Sequence, residues 1–326
     1  MRILVTGGAG FIGSHYVRGL LNGRHRGFES SHVTVVDKLT YAGSTELLPM
    51  DHPRLTFVKG DIRDAELMDD LVAGQSMAVH FAAESHVDRS LDDCGDFVTT
   101  NVLGTQRVLD ACLRHRVERI VHVSTDEVYG SIENGDFHEA DGLRPNSPYA
   151  ASKAGSDLLA RAYHRSHGLP VVVTRCSNNF GPGQYPEKII PRFVLRLLRG
   201  ESVPLYGDGL HRREWLHVDD HCRAVQRVLE AGLPGEIYNI GGGTELSNRE
   251  LTDRLVALCG ARPDQVRAVT DRKGHDRRYA LDWSRTREEL GFAPRVPFDE
   301  GLADVVRWYR EHGTSVWGAG AGPGRE

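Results

Sequence analysis

The chain predicts an α/β protein: a doubly wound parallel Rossmann sheet with a smaller mixed α/β domain, C-terminal to it, for a substrate. A glycine-rich turn lies between an apolar run and an amphipathic stretch near residue 1. Short β-branched runs then alternate with helical stretches as far as residue 175, the signature of parallel βαβ units. Beyond residue 175 that alternation gives way to shorter elements and arginine-bearing loops. The expected division is 1–175, mainly dinucleotide binding; 176–312, mainly substrate binding and interleaved with the first; and 313–326, a flexible tail whose residues 318–324 are glycine and alanine with one proline.

Ile3-Leu4-Val5 reads as a short buried strand, and Gly7-Gly8-Ala9-Gly10-Phe11-Ile12-Gly13 follows it, leading into a helix around Val17, Leu20 and Leu21. Glycine suits this turn because a Cβ would keep the backbone from a pyrophosphate resting on the helix N-terminus. The second strand, Val33-Thr34-Val35-Val36, ends in Asp37 at the distance expected of a ribose-binding acid. A carboxylate there binds both ribose hydroxyls and repels a phosphate, so NAD is expected over NADP, although Lys38 beside it pulls the other way. Thr40 follows in the same loop. Leu55-Thr56-Phe57-Val58 is the third strand, and Gly60-Asp61-Ile62 is placed to meet an adenine. The fourth, Met77-Ala78-Val79-His80-Phe81, leads to Ala82 and Ala83, small enough for a cofactor to lie across the strand end. Ser85 next is placed to face a substrate, and His86 is read as a hydrogen-bonded loop histidine. Residues 97–115 read as one long helix, with Thr100 and Asn101 in its early turns.

The central strand, Arg119-Ile120-Val121-His122-Val123, ends in Ser124-Thr125-Asp126-Glu127, two hydroxyls and two carboxyls at the mouth of an apolar run. Ser147-Pro148 reads as an N-cap with proline in the first turn, so Tyr149 and Lys153 share one face of the helix that follows. A phenol and an ammonium held so suit proton abstraction from an alcohol, and the cation is expected to draw the phenol's pKa down from about 10. Tyr-x-x-x-Lys alone is a weak signal. Its weight comes from the order: dinucleotide turn, strand, hydroxyls, paired carboxyls, then Tyr149 and Lys153. Val171-Val172-Val173-Thr174 is the sixth strand, and ligands are expected at the C-terminal strand ends.

In the second half, residues 178–183 read as a loop, residues 187–198 as a helix interrupted or started at Pro191, and Ser247 with Glu250 as a capping box. Two basic loops stand out, Arg212-Arg213 and Arg272-Lys273-Gly274-His275-Asp276-Arg277-Arg278, and forked guanidinium groups suit a diphosphate. The second run is short, holds Asp276 within it and Asp271 before it, and has no aromatic residue until Tyr279, which argues against nucleic acid. His217 and His221 have the spacing of metal ligands, but no third ligand accompanies them and no metal is expected. A formal net charge of -5 with 26% charged residues gives no general affinity for nucleic acid. Five scattered cysteines without a Cys-x-x-Cys pair fit a reducing cytoplasm. No signal peptide and no run of membrane-spanning length is read, so no membrane partner is expected.

The 7–13 turn with Tyr149 and Lys153 resembles the extended short-chain dehydrogenase/reductases that act on nucleotide sugars. Within that group, four stretches resemble the dTDP-glucose 4,6-dehydratases: residues 81–90 (FAAESHVDRS), Ser124-Thr125-Asp126-Glu127-Val128-Tyr129-Gly130, Asn178-Asn179 with Pro186-Glu187-Lys188, and Arg213-Glu214-Trp215. The likeness runs to about residue 310, and the Thr125-Asp126-Glu127 triplet is its most specific part. It implies NAD as cofactor and a dTDP-sugar as substrate. Tyr149 would be the base for the 4-hydroxyl, Lys153 its partner, and Thr125 a hydrogen-bond partner of that hydroxyl. Glu127 would remove the proton on carbon 5, and a protonated Asp126 would give one to the departing 6-hydroxyl. Gly7, Gly10, Phe11, Ile12, Gly13, Asp37, Lys38, Thr40, Asp61, Ile62, Phe81, Ala82, Ala83, Thr100 and Asn179 match cofactor positions, along with Tyr149 and Lys153. Ser85, Thr125, Asn178, Glu187, Lys188, Pro204, Tyr206, Arg213, Asn248, Arg272 and His275 match substrate positions, with Pro204 to Tyr206 near the thymine. The alternative is a nucleotide-sugar 4-epimerase or another 4-keto-forming relative, which would share Tyr149, Lys153 and NAD but need no acid at Asp126. Two positions depart from the pattern: Gly183 stands where a larger residue is frequent, and Ser44 where asparagine is. The helices over 97–115 and 150–167 resemble those through which the family forms homodimers.

Overall fold

The computed structural model describes residues 1–271 and 274–317. Arg272 and residues 318–326 of the expected tail lie outside the described residues. The first six strands are β1 (Arg2–Thr6), β2 (His32–Asp37), β3 (Leu55–Lys59), β4 (Met77–His80), β5 (Arg119–Thr125) and β6 (Val171–Cys176). The second half adds β7 (Asn178–Phe180), β8 (Val203–Tyr206), β9 (Arg212–His217), β10 (Ile237–Ile240), β11 (Thr244–Ser247) and β12 (Val266–Val269). Seven strands form one parallel sheet in the order β10-β6-β5-β4-β1-β2-β3. β10 comes from beyond residue 175, so the two halves of the chain are interleaved in space.

The helices are α1 (Phe11–Leu21), α2 (Ala65–Val72), α3 (Val87–Asp92), α4 (Gly95–Phe97), α5 (Thr105–Arg114), α6 (Pro148–His167), α7 (Ile189–Leu198), α8 (Val218–Ala231), α9 (Asn248–Cys259), α10 (Ser284–Leu290) and α11 (Phe298–His312). Alternate residues of each central strand serve opposite faces. Ile3, Val5, Val121 and Val172 join Val17 and Leu20 of α1 and Val225 and Val228 of α8 in one cluster. Leu4, Ile120, Val171 and Val173 join Met68 of α2, Leu109 of α5 and Ala160 of α6 in the other. Each such fully buried aliphatic side chain contributes about 1.5–3 kcal/mol. The two-sided burial explains why these strands read as continuous apolar runs.

The long helix expected over 97–115 has a seam in it. α4 passes into a π-helical stretch, Val98–Gly104, before α5 begins. Gly104 lies so close to Ile62 that a Cβ there would come within 2.6 Å of its Cδ1. The π stretch carries Thr100 and Asn101, and Asn101 accepts from the Glu84 amide at 2.8 Å while donating to Ser152 Oγ at 2.8 Å.

The smaller part packs around Phe180, Phe193, Leu251, Leu302 and Val305. Its sheets are β11-β9-β7 and β12-β8. Residues 178–180, read from the sequence as loop, are strand β7, which runs parallel to β9. The pairing is made with a distant segment, which local composition does not reveal. Pro191 neither starts nor interrupts α7, which begins at Ile189 with the proline in its first turn, where a missing N–H costs little. Ser247 caps α9 as a capping box, accepting from the Glu250 amide at 3.2 Å while Glu250 accepts from the Ser247 amide at 2.7 Å.

Candidate active site

The glycine turn joins β1 to α1 with Gly7 at φ +69°, and a Cβ at Gly7 would stand 2.6 Å from the Ala82 amide nitrogen. Asp37 at the end of β2 accepts from the Ala9 amide and the Leu39 amide, each at 2.9 Å. Its burial raises its pKa against the pull of those amides. Lys38, which bore on the NAD or NADP choice, is engaged by Asp61 at 3.0 Å. Although burial pushes Asp61 up, hydrogen bonds from Arg63 and Lys38 bring its pKa down to about 2. Past these groups opens a cavity of about 320 Å³, whose wall holds every residue expected to touch the cofactor: Gly7, Gly10, Phe11, Ile12, Gly13, Asp37, Lys38, Thr40, Asp61, Ile62, Phe81, Ala82, Ala83, Thr100, Tyr149, Lys153 and Asn179.

Six buried polar atoms in that wall, Ser124 Oγ, Asp126 Oδ2, Ser177 Oγ, Asn178 Oδ1, Asn179 Oδ1 and Glu187 Oε2, have no hydrogen-bond partner among the described residues. Buried polar groups are rarely left so, and together they fit a polar ligand. With the glycine turn at one end and Asp37 and Asp61 beyond it, the residues fit a dinucleotide.

Ser147 Oγ accepts from the Ala150 amide at 3.1 Å and Gly168 closes α6 in the left-handed conformation, so Tyr149 and Lys153 stand one turn apart as expected. Thr125 closes β5, donating to Asp126 Oδ1 at 3.2 Å and accepting from the Glu127 amide at 3.2 Å. Asp126 is buried. Burial first, then the Glu127 and Glu214 carboxylates, raise its pKa well above its ordinary value, which favours the protonated carboxyl. Tyr149 departs from the sequence expectation. Burial and the Glu127 carboxylate carry its pKa well above 10, against a hydrogen bond from Thr125. Lys153 aims its ammonium at the Val123 carbonyl, 2.8 Å away, and burial lowers its own pKa to about 8. Helical spacing brought the pair to one face, but the phenol's own burial, and after it the Glu127 carboxylate, set its electrostatics.

A second cavity, about 170 Å³, adjoins the first and shares Glu127, Asn178, Glu187 and Lys188 with it. Pro204, Tyr206, Arg213, Asn248 and His275, expected near the substrate, line it. Ser85 and Thr125, expected there too, stand instead in the wall of the first cavity, and Lys188 Nζ donates to the Ser85 carbonyl at 2.7 Å. Arg213 is buried and held by donation to the Asp276 carbonyl at 2.9 Å, with its guanidinium 4.3 Å above the Tyr279 ring. Arg272 lies outside the described residues.

Sequence reasoning missed several groups here. Arg192 and Tyr279 line the second cavity, and the Tyr279 hydroxyl donates to Asp276. Glu214 accepts from the Gly243 amide at 2.7 Å behind Asp126. The stretch Arg213-Glu214-Trp215 was recognised, yet only its arginine drew a role. His211 stacks on His275 with ring centroids 3.8 Å apart, and Asp271 reaches both rings. His86 caps α3, accepting from the Arg89 amide at 3.2 Å, and also borders the second cavity. His217 caps α8 and His221 is buried within it, so their spacing serves the helix.

A family model described as GDP-mannose 4,6 dehydratase matches residues 4–305. The chain is 62% identical to a dTDP-glucose 4,6-dehydratase of Streptomyces antibioticus over 96% of this chain and 93% of that one. Among solved structures, DesIV, a dTDP-glucose 4,6-dehydratase of Streptomyces venezuelae with NAD bound, superposes with a TM-score of 0.95 at 58% identity, covering 98% of this chain and 99% of that one. A UDP-glucose 4-epimerase of Thermotoga maritima superposes at 0.88 with 32% identity, covering 95% of this chain and 99% of that one. At such identity over nearly the whole length, with Glu127 where two cavities meet and Asp126 buried beside it, the chain belongs to the 4,6-dehydratase family, within it to the dTDP-glucose 4,6-dehydratases.

Proposed function

We propose that the chain converts dTDP-glucose to dTDP-4-keto-6-deoxyglucose and water. The observation that carries this reading is the pair Asp126 and Glu127, one buried with its pKa raised, the other shared by both cavities. Eliminating water across two carbons needs a base for the carbon-bound proton and an acid for the departing hydroxyl, and neighbouring carboxyls with separated pKa values supply both. NAD, when bound, supplies a reversible acceptor for the hydrogen of sugar carbon 4 and a positively charged ring in the cavity that Tyr149 lines. Tyr149 takes the proton of the 4-hydroxyl, which Thr125 orients. Lys153 holds positive charge on the same helix face. Glu127 removes the proton on carbon 5, acid once carbon 4 is a ketone, and Asp126 gives its proton to the 6-hydroxyl so that it leaves as water. The hydrogen taken from carbon 4 is then given back at carbon 6 and Glu127 returns a proton to carbon 5, which completes the 6-deoxy product. Arg213, His275 and Arg272 bind the diphosphate, with Ser85, Asn178, Glu187, Lys188 and Asn248 around the sugar and ribose and Pro204 and Tyr206 beside the thymine. A 4-epimerase would have no use for a proton on Asp126.

The test is incubation of the purified protein with dTDP-glucose, without added cofactor, and mass spectrometry of the product. Loss of one water with solvent deuterium at carbon 5 is expected. An unchanged mass even with NAD added would overturn the assignment, and UDP-glucose yielding only its 4-epimer would put the alternative in its place.

The same reading takes residues 1–175 as mainly the NAD-binding part and 176–312 as mainly the sugar-nucleotide part, in a cytoplasmic homodimer. All five cysteines are free, which suits a reducing compartment. No helix among the described residues is long and apolar enough to cross a membrane. Val98 and Leu103 of the π stretch and Leu158 of α6 expose 50%, 40% and 54% of their surface, a patch that a second copy would cover.

A further inference from the structure

We propose that Ser44 and Trp317 are positioning residues that tie together the two loops walling the cofactor cavity and thereby set how long NAD stays bound. The proposal rests on NAD as the ligand of that cavity.

The first loop leaves β2 and carries Thr40, Ala42 and Gly43 on the cavity wall; the second carries Gln184 and Tyr185. Ser44 ties the first loop in two directions. Its amide donates to the Ala9 carbonyl in the glycine turn at 3.0 Å, and its hydroxyl donates to the Val316 carbonyl. An asparagine at this position would carry a longer amide into that contact. Val316 belongs to a short 3-10 turn, Ser315–Trp317, that follows α11. The Trp317 ring meets Tyr185 edge-on, with centroids 5.7 Å apart at 85°, and Trp308 at 5.9 Å and 66°. Tyr309, 6.5 Å away and nearly parallel to Trp317, donates its hydroxyl to the Gln184 carbonyl. Tyr185 in turn meets Tyr41 of the first loop edge-on at 5.3 Å.

Gly183 fits the same contact. It holds φ +79°, and a Cβ there would lie 3.3 Å from Leu47 Cδ2, so glycine lets the second loop close on the first. Ser44 and Gly183 thus fall on one junction. Opening the cavity requires these loops to part, and the Ser315–Trp317 turn spans them.

The test uses the full chain as wild type and as Trp317→Ala, Trp317→Phe and Ser44→Ala. Each is loaded with labelled NAD and its release is timed under an unlabelled chase. Aromatic pairs each contribute modestly, and two or three lost together predict roughly tenfold faster release from Trp317→Ala. Trp317→Phe should restore most of the retention. With saturating NAD added, Trp317→Ala should keep its kcat while its KM for NAD rises by a similar factor. In NAD-free protein, amide exchange over residues 39–48 and 181–185 should accelerate in Trp317→Ala and in Ser44→Ala. An unchanged release rate in both alanine variants overturns the proposal, as does a lower kcat with retention intact. Should Trp317→Ala fail to fold, release and exchange in Ser44→Ala decide the matter. A wild-type chain that binds no NAD removes the cofactor reading and this proposal together; a wild type that holds NAD beside unchanged variants removes this proposal alone.

Discussion

A buried setting with Glu127 and Glu214 near it raises the pKa of Asp126 and so favours its protonated form, and a protonated carboxyl has something to give. Asp126→Asn should therefore depress dehydration by about 10²–10⁴-fold, the range for losing a general acid. Oxidation at carbon 4 and the work of Glu127 should continue. Recovered substrate should then gain solvent deuterium at carbon 5 without losing water; equal loss of exchange and dehydration would refute a dedicated acid. In the wild type, dehydration should fall as pH rises through the raised pKa of Asp126. The same shift bears on stability. A carboxyl whose folded pKa lies above its unfolded value of about 3.9 contributes fully below that value, and the contribution is lost as pH climbs through the folded pKa. Asp126→Asn, with no charge to bury, should thus be more stable than wild type at neutral pH by roughly 0.5–2 kcal/mol in denaturant melts, and the advantage should vanish in acid. Tyr149→Phe removes the proton acceptor and should lower kcat by about 10²–10⁴-fold with NAD retention little changed, measured as bound nucleotide after gel filtration.

At the scale of elements, the turn between β1 and α1 is the least forgiving part of the site. Gly7→Ala asks an alanine to hold φ +69° and drives its Cβ to 2.6 Å from the Ala82 amide nitrogen at the end of β4. Neither neighbour is a side chain that could swing away. The variant should lose NAD affinity by more than about tenfold and melt lower by roughly 1–3 kcal/mol, read by titration calorimetry and denaturant unfolding. Elements announced by local chemistry were legible in the sequence: α6 from Ser147-Pro148, α9 from its capping box, the central strands from their apolar runs. What escaped was set by contacts between distant segments. β7 is a strand because β9 lies beside it. The π stretch fits where Gly104 closes on Ile62. Behind Lys153, the buried Asp157 of α6 and Arg175 of β6 pair at 2.8 Å, a contact that the spacing of the two residues does not announce. The expected residues drawn from contiguous motifs line the two cavities together, whereas Arg192, Tyr279 and His211 reach them only through the fold. The phenol's pKa was misjudged for a related reason: spacing shows which groups are neighbours, and burial decides which neighbour prevails.

Across the whole molecule, the interleaving of the two halves puts the chemistry at their junction. β10 and α8 of the second half pack on the sheet of the first, so the two cavities keep a fixed relation and share Glu127 and Asn178 at their boundary. The outer side of that framework carries exposed apolar residues. Leu158 lies on the helix that bears Tyr149 and Lys153, and Val98 and Leu103 lie on the π stretch that bears Thr100 and Asn101. Covering this patch with a second copy would bury apolar surface and also stiffen both catalytic-side helices, since neither could bend outward against a partner. Leu158→Glu places a charge at the centre of that patch, where a two-fold interface would set it near its own copy and pay desolvation twice. The variant should sediment as a monomer at micromolar concentration where the wild type sediments as a dimer. It should keep its fold, because Leu158 is exposed within one chain. Its cofactor retention should fall with the dimer, as Thr100 lines the NAD cavity from the π stretch that the partner would brace. A Leu158→Glu chain that remains dimeric would place the interface elsewhere, and a wild type that is monomeric at the same concentration would remove the homodimer from the reading.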